Sequence, residues 1–186
     1  MHVVQYAQKI AEELTRALPE IDEEAGERLT GLLLGGGRVF VAGAGRSGLM
    51  GRAFAMRLMH LGLEAYVVGE TVTPGIGAGD VLVLGSGSGE TRSLLVMAEK
   101  AKSAGAQVAL VTLNPASSIG AMADLTVRLP GAAKDREAEA DSISIQPMGS
   151  LFEQSLLLFY DAAVLRMMEL RGMETSGMYG NHANLE

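Results

Sequence analysis

A loop of alternating glycine and hydroxyl residues separates an apolar run from a helical pattern in the stretch LVLGSGSGETRSLL, residues 82–95. The glycines leave backbone N–H groups free to point into one concave site, and the hydroxyl side chains add donors beside them. The helix predicted to begin near Glu90 adds the positive end of its dipole, which favours an anion. The sequence therefore predicts a cradle for a single phosphate group. Its residues are Ser86, Gly87, Ser88, Gly89, Glu90 and Thr91.

Two details limit the chemistry expected of this loop. It lacks the lysine of a P-loop, so hydrolysis of nucleoside triphosphates is not expected. The side chain of Glu90 either caps the following helix or contacts a sugar hydroxyl, and capping is the favoured interpretation.

A second glycine loop, GAGRSG at 43–48, also follows a predicted strand and opens a predicted helix. Its spacing matches the G-x-G-x-x-G pattern of dinucleotide sites, in which an acid about 20 residues later holds the ribose. Glu64 or Glu70 would take that role. The pattern equally suits a tight turn in which glycine permits close packing of strand and helix, so the motif alone does not decide.

Short strands rich in Val and Leu alternate with helices between residues 37 and 130, which predicts an α/β fold. The few polar residues in these strands indicate a parallel sheet covered by helices on both faces, of the flavodoxin-like doubly wound type. The predicted strands are 38–43, 64–69, 80–85, 107–113 and 124–130, and the predicted helices between them are 47–62, 90–105 and a short one at 117–123. Ligands bind outside the carboxyl ends of such strands, where both glycine loops lie.

Helices are also predicted on both sides of the sheet-forming region. Residues 1–36 form an N-terminal helical hairpin in which Asp22 caps the second helix. Residues 149–172 form a long apolar helix, buried either in its own core or against another subunit. The charged segment Asp135–Asp141 is expected to be solvated, and the tail at 173–186 lacks periodicity. No linker divides the chain, so we expect one domain.

The composition disfavours several function classes. Apolar residues make up 48% of the chain and charged residues 20%, as in globular proteins, and the formal charge of −7 disfavours a nucleic-acid partner. The chain has no cysteine, which excludes thiolate metal ligands and a thiol nucleophile. No apolar run approaches the roughly 18 residues that span a bilayer, and the N-terminus lacks the pattern of a secretory signal. We therefore expect no membrane partner and a cytoplasmic location.

The two loops, GAGRSG followed by GSGSGET, resemble those of the sugar-isomerase (SIS) domain family, whose serine-rich loop binds the phosphate of a phosphosugar. The stretch DSISIQPMGSLFEQS and the closing HANLE are similar to the 6-phospho-3-hexuloisomerases within that family. Those enzymes interconvert D-arabino-hex-3-ulose 6-phosphate and fructose 6-phosphate in the ribulose monophosphate pathway of formaldehyde assimilation. The resemblance implies an isomerase with a five-stranded parallel sheet, without cofactor or metal, that forms a homotetramer with active sites at subunit interfaces.

The resemblance also implies roles for single residues. Moving the carbonyl from C3 to C2 removes a proton from C2 and returns it to C3 through an enediol, which requires a general base. The family's base falls on Glu153, which its position alone would make an ordinary first-turn acid in a helix capped by Ser150. His182, in HANLE, is implied to assist ring opening or proton transfer at the site of an adjacent subunit.

Three further residues complete the expected site. Ser47 joins the loop residues as a ligand of the phosphate or the sugar hydroxyls. Arg46 is expected to pair with the phosphate or with an acid across an interface. His60, late in the helix after the first strand, is interpreted as a surface or interface residue, although a histidine takes part in ring opening in related isomerases.

Other functions stay open at this point. A non-catalytic phosphosugar sensor would share the fold, but such proteins usually carry a DNA-binding domain, and this chain offers neither a spare helix-turn-helix segment nor a basic patch. A dinucleotide-dependent oxidoreductase built on GAGRSG would need room for a substrate domain. Isomerases of pentose and heptose phosphates share both loops, so only Gln146–Gln154 and the tail favour a hexulose phosphate.

Overall fold

The core of the fold is a parallel sheet of five strands. A computed structural model describes residues 1–131 and 144–185; the segment Asp135–Asp141, predicted to be solvated, lies outside these ranges. The strands are β1 (Val39–Gly43), β2 (Ala65–Val67), β3 (Val81–Gly85), β4 (Gln107–Thr112) and β5 (Leu125–Arg128). Their order across the sheet is β2-β1-β3-β4-β5, and all neighbouring pairs are parallel. The predicted doubly wound α/β sheet is confirmed.

Helices cover both faces of this sheet. They are α1 (Val3–Ala17), α2 (Glu23–Gly35), α3 (Gly45–His60), α4 (Arg92–Ser103), α5 (Ser150–Leu170) and α6 (Thr175–Tyr179). The side chains of α2, α3 and α5 form one buried cluster with one face of the sheet, and those of α4 form a second cluster with the other face. Within the described part of the chain, no helix combines the length and apolarity needed to cross a bilayer.

The helix boundaries follow local sequence signals in most places. Asp22 caps α2 as predicted, since its side chain accepts hydrogen bonds from the backbone N–H groups of Glu24 and Ala25 at 2.9 and 3.3 Å. The apolar helix α5 buries one face in its own core, while Leu158 and Leu165 on its other side are exposed.

Two segments differ from their prediction. Residues 117–123 form a series of turns rather than a helix, because the Ser117 hydroxyl accepts the N–H of Gly120 at 3.2 Å and so replaces a helical backbone bond. The tail, whose sequence lacks periodicity, contains the short helix α6.

The turn from β1 into α3 depends on two glycines that touch. A Cβ added to Gly48 would lie 2.5 Å from the carbonyl oxygen of Gly43, and a Cβ on Gly43 would lie 2.9 Å from the Cα of Gly48. This contact is the close packing of strand and helix expected if GAGRSG is a tight turn rather than a dinucleotide site. It brings the first turn of α3 directly onto the end of β1.

We expect Gly48→Ala to lower the free energy of unfolding by roughly 2–3 kcal/mol, because the new methyl group would overlap the backbone of Gly43. The matched control is Gly31→Ala in α2, where an added Cβ would meet no atom within 4 Å. This control should raise the free energy of unfolding by about 0.5–1 kcal/mol. Urea unfolding curves measure both, and equal effects would contradict the steric role of the Gly43–Gly48 contact.

Candidate active site

The two glycine loops meet at one place on the sheet. Gly43 and Gly85, the last residues of β1 and β3, are register partners on adjacent strands. In the observed strand order, β1 and β3 are also the strands at which the connections reverse direction across the sheet. The loops therefore border the crevice in which open α/β sheets bind their ligands.

The hydroxyl-rich loop that follows β3 is held in a compact shape by its own side chains. The N–H of Gly89 donates to the Ser86 hydroxyl at 3.2 Å, and the Ser86 and Thr91 hydroxyls lie 3.3 Å apart. The N–H of Glu90 donates to the Ser88 hydroxyl at 3.1 Å. Gly89 has a φ of +66°, and a Cβ there would lie 2.0 Å from the Ser117 hydroxyl, so only glycine fits.

Glu90 does not cap α4, and the expectation that it would is wrong. The helix begins at Arg92 with Thr91 as its N-cap residue. The carboxylate of Glu90 instead accepts the backbone N–H of Ser118 at 2.7 Å. The pKa of Glu90 is lowered by hydrogen bonds from the backbone and side chain of Ser118. Glu90 thus connects the hydroxyl-rich loop to the turns that replaced the predicted helix at 117–123.

An ion pair joins the first turns of α3 and α5. Arg46 Nη1 lies 3.0 Å from Glu153 Oε2 and donates to the Ser150 hydroxyl at 3.1 Å. Glu153 is 4% exposed, whereas the side chain of Arg46 is 53% exposed. Arg46 was expected to pair with the phosphate or with an acid across an interface, and in this structure its acid belongs to the same chain.

The start of α5 differs by one residue from the prediction. Gly149 is the N-cap, and the N–H of Glu153 donates to its carbonyl at 3.0 Å. Ser150 is the first helical residue, and its hydroxyl donates to the carbonyl of Pro147 at 2.8 Å. Ser150 therefore positions the approach to α5 and accepts Arg46, rather than capping the helix.

The same helix packs against the hydroxyl-rich loop. Phe152 has its ring 3.3 Å from the position that a Cβ on Gly87 would occupy, and Leu156 is 3.0 Å from the corresponding position on Gly85. A glycine at each position leaves room for α5. Glu153, between Phe152 and Leu156, is consequently held beside the loop. Ser47, one residue after Arg46, is also buried.

The acids proposed for a dinucleotide ribose are placed elsewhere. Glu70 forms an ion pair with Arg52 of α3, and Glu64 is exposed. Within residues 1–131 and 144–185, no three His, Asp or Glu side chains are grouped so that they could hold a metal ion.

The two predicted histidines lie together but far from Glu153 of their own chain. The rings of His60 and His182 stack with centroids 5.3 Å apart, and the Asn181 side chain donates to the carbonyl of His60 at 3.0 Å. His60 ends α3 and Arg46 lies in its first turn, so the two residues are about 21 Å apart at 1.5 Å per helical residue.

His60, interpreted from sequence as a surface or interface residue, is covered by the tail of its own chain, which leaves it only 4% exposed. Burial lowers its pKa, and the positive charge of Arg57 and the neighbouring His182 act in the same direction.

Sequence reasoning missed Glu13, a buried acid that fixes the segment leading into α5. Its carboxylate accepts the Ser144 hydroxyl at 2.6 Å, the Ile145 N–H at 2.7 Å and the Gln146 side chain at 2.9 Å. Burial alone would raise its pKa, but these hydrogen bonds outweigh burial, and the pKa is lowered. The available sequence signal was that Glu13, three residues after Ile10, falls on the apolar side of an amphipathic helix.

Comparison with known proteins identifies the family. The SIS domain family matches residues 32–158. This chain belongs to the SIS domain family. A protein of Bacillus subtilis named 3-hexulose-6-phosphate isomerase is 50% identical over 186 residues, which cover 100% of both chains. A protein of the same name from Mycobacterium gastri is 43% identical over 177 residues, or 95% of this chain and 88% of that one.

A solved structure agrees with these matches. It is that of a Methanococcus jannaschii protein for which the structure led to an inferred function of 3-hexulose-6-phosphate isomerase. It shares 32% identity with this SIS domain and superimposes with a TM-score of 0.84, covering 98% of this chain and 99% of that one.

We expect Glu13→Gln to lower the free energy of unfolding of this SIS domain by about 1–3 kcal/mol at neutral pH, because three hydrogen bonds to a charged group are weakened. Since the folded pKa lies below the ordinary 4.5, this contribution is fully present above pH 4.5 and is lost as the pH falls through the folded value. The difference between wild type and variant should therefore shrink in acid. Denaturant unfolding over a pH series tests this, with the exposed neighbour Glu12→Gln as control. A difference that does not change with pH would contradict it.

Proposed function

We propose that this chain interconverts D-arabino-hex-3-ulose 6-phosphate and fructose 6-phosphate through an enediol. The observation that carries the proposal is the buried Glu153, ion-paired with Arg46 and packed beside a hydroxyl-rich loop. This arrangement offers a base, a cation and a phosphate cradle within one crevice. The names of the Bacillus and Mycobacterium relatives support the choice of this sugar over a pentose or heptose phosphate.

The loop after β3 would bind the phosphate. Its N–H groups and hydroxyls replace the water around the anion, and the start of α4 adds a favourable dipole. Ser47 lies in the facing loop, GAGRSG, and would bind the phosphate or a sugar hydroxyl. The other phosphate ligands in this proposal are Ser86, Gly87, Ser88, Gly89 and Thr91, with Glu90 holding the loop in place.

Glu153 would act as the base in both proton transfers. Its carboxylate takes the proton from C2, the C2–H electron pair forms the C2=C3 double bond, and the C3 carbonyl oxygen becomes an enediolate. The O2–H proton then passes to the O3 oxyanion, the carbonyl forms at C2, and the C2=C3 electron pair takes the proton from Glu153 at C3. Arg46 lies within reach of the carboxylate and would also stabilise the negative charge on the enediolate oxygens.

The proposal also covers the cofactor requirement and the assembly. The hydrogen moves within one molecule, so the reaction needs neither a redox cofactor nor a metal for its electron balance. His182 would assist ring opening or transfer of the hydroxyl proton at a neighbouring subunit, since it lies far from Glu153 in its own chain. A cytoplasmic homotetramer that acts in the ribulose monophosphate pathway fits this proposal.

We expect Glu153→Gln to lower kcat by about 100-fold to 10,000-fold, because the amide cannot accept the C2 proton. The assay generates hexulose 6-phosphate in place and detects fructose 6-phosphate through coupling enzymes, without added metal or nucleotide. Glu64→Gln removes an exposed acid of equal charge and should leave kcat unchanged. A folded Glu153→Gln protein with near wild-type kcat would exclude Glu153 as the base.

A folded wild-type protein that does not turn over this sugar would instead exclude the proposed substrate. Binding of inorganic phosphate, measured by calorimetry, would then show whether the phosphate cradle stands, with Ser86→Ala as the weakened variant. Turnover of a pentose or heptose phosphate would assign the site to that sugar, and phosphate binding without turnover of any of them would favour a sensor.

A further inference from the structure

The turn that leads into α5 contains a residue with an unusual backbone conformation. Among the residues that the structure describes, Met148 alone has a positive φ without being a glycine, at +56°. It follows Pro147 in a turn that the N–H of Ser150 closes by donating to the Pro147 carbonyl at 3.3 Å. A positive φ at the first central position of a turn favours glycine. The glycine of this turn, Gly149, stands one position later, with a φ of −94° that any residue adopts.

The side chain of Met148 gains little from folding. Residues with a long side chain rarely adopt a positive φ, because the Cβ crowds the backbone, so this conformation costs free energy. Burial of the side chain would offset the cost, but Met148 is 71% exposed. Glycine would form the same turn without strain. The combination indicates a side chain that is covered only when a ligand binds.

Contacts on both sides of the turn hold Met148 in this conformation. Before the turn, the Glu13 carboxylate accepts hydrogen bonds at 2.7 and 2.9 Å from the segment that precedes Pro147. After it, the Ser150 hydroxyl donates to the Pro147 carbonyl at 2.8 Å and accepts Arg46 at 3.1 Å. Strained backbone persists where the surrounding structure over-determines it, and such positions cluster at active sites. This turn is fixed to the arginine of the candidate active site.

We propose that Met148 covers the carbon chain of the sugar phosphate bound at the Arg46–Glu153 ion pair and keeps water away from the reacting carbons. The inference rests on the proposed function, in which this pair supplies the base and its cation. One hydroxyl, that of Ser150, connects the Arg46 guanidinium to the carbonyl that precedes Met148. The methionine side chain therefore begins beside the ion pair, and its exposed surface is free to contact a bound sugar.

Exclusion of water matters to this reaction because Glu153 holds the transferred proton between two steps. While the carboxyl is protonated, contact with water would exchange that proton with solvent. An apolar cover also strengthens the attraction between Arg46 and the enediolate, because it lowers the local dielectric constant. Methionine suits this position, since its unbranched thioether side chain adapts to the shape of what lies against it.

Deuterium exchange measures the exclusion of water directly. Fructose 6-phosphate is incubated with the protein in D₂O, and mass spectrometry follows the deuterium gained by the remaining fructose 6-phosphate for each hexulose 6-phosphate formed. We expect Met148→Gly to raise this ratio and to lower kcat/KM roughly 10-fold, because the apolar contact with the sugar is lost. Met148→Leu keeps most of the side chain and should stay near wild type. The control is Val96→Ala, 55% exposed on α4, which covers the other face of the sheet.

A second variant separates the side chain from the backbone. Met148→Ala removes the side chain but keeps a residue that disfavours a positive φ, whereas Met148→Gly relaxes the turn. We expect equal losses of kcat/KM in both, although Met148→Gly should melt at a temperature no lower than wild type. A loss in Met148→Ala alone, or a wild-type ratio and kcat/KM in Met148→Gly, would overturn the proposal.

Ligand binding separates this inference from the proposed function. Calorimetry compares fructose 6-phosphate with inorganic phosphate, which has no carbon chain for Met148 to cover. We expect Met148→Gly to weaken binding of the sugar phosphate about 10-fold and to leave binding of inorganic phosphate unchanged. This loss, in a protein whose wild type binds fructose 6-phosphate but does not isomerise it, would uphold the cover and exclude the proposed reaction. Equal affinities in a protein that does isomerise it would exclude the cover alone, and a wild type that binds no sugar phosphate would overturn both.

Discussion

A carboxylate inside a protein must be paired with a cation or with several donors, and the Arg46–Glu153 ion pair meets this requirement at the centre of the site. The pair exists only if the first turns of two helices, 107 residues apart in sequence, come to the same point. Contact between Gly43 and Gly48 fixes the first turn of α3 at the end of β1. The helices α3 and α5 are aligned by the stacked rings of Phe54 and Tyr160, whose centroids lie 4.1 Å apart. The geometry of the site therefore follows from how two helices pack on one face of the sheet.

The other half of the site depends on positions where a side chain is absent. Gly85 and Gly87 give α5 room to lie against the hydroxyl-rich loop, and Gly89 adopts a left-handed backbone beside Ser117. The glycines thus serve the packing of the loop as much as the exposure of its N–H groups. The Glu90–Ser118 hydrogen bond holds the loop from its other side. Under the proposed function, a loop fixed in this way would bind an anion without having to be ordered first, which favours affinity.

Most of the fold could be predicted from the sequence because its strands and long helices carry strong hydrophobic patterns. The five strands, Asp22 as a cap and the position of both loops were read correctly for this reason. The turns at 117–123 were not, because the Ser117 hydroxyl takes the N–H of Gly120 that a helix would use. The role of Glu90 and the burial of His60 were not, because each is decided by a contact between distant segments. Glu90 prefers Ser118 over the adjacent helix, and His60 is covered by residues more than a hundred positions later. Patterns within a short window do not contain such contacts.

The hydrogen bonds of Glu13 to the segment before α5 also bear on how the chain matures during synthesis. Glu13 and Ile145 are separated by 132 residues, and α5 supplies much of the cover for one face of the sheet. When β1 to β5 have left the ribosome but α5 is still inside it, that apolar face is incompletely covered and open to other proteins. Until the C-terminal helix is released, the incompletely covered face therefore favours non-specific aggregation of the nascent chain.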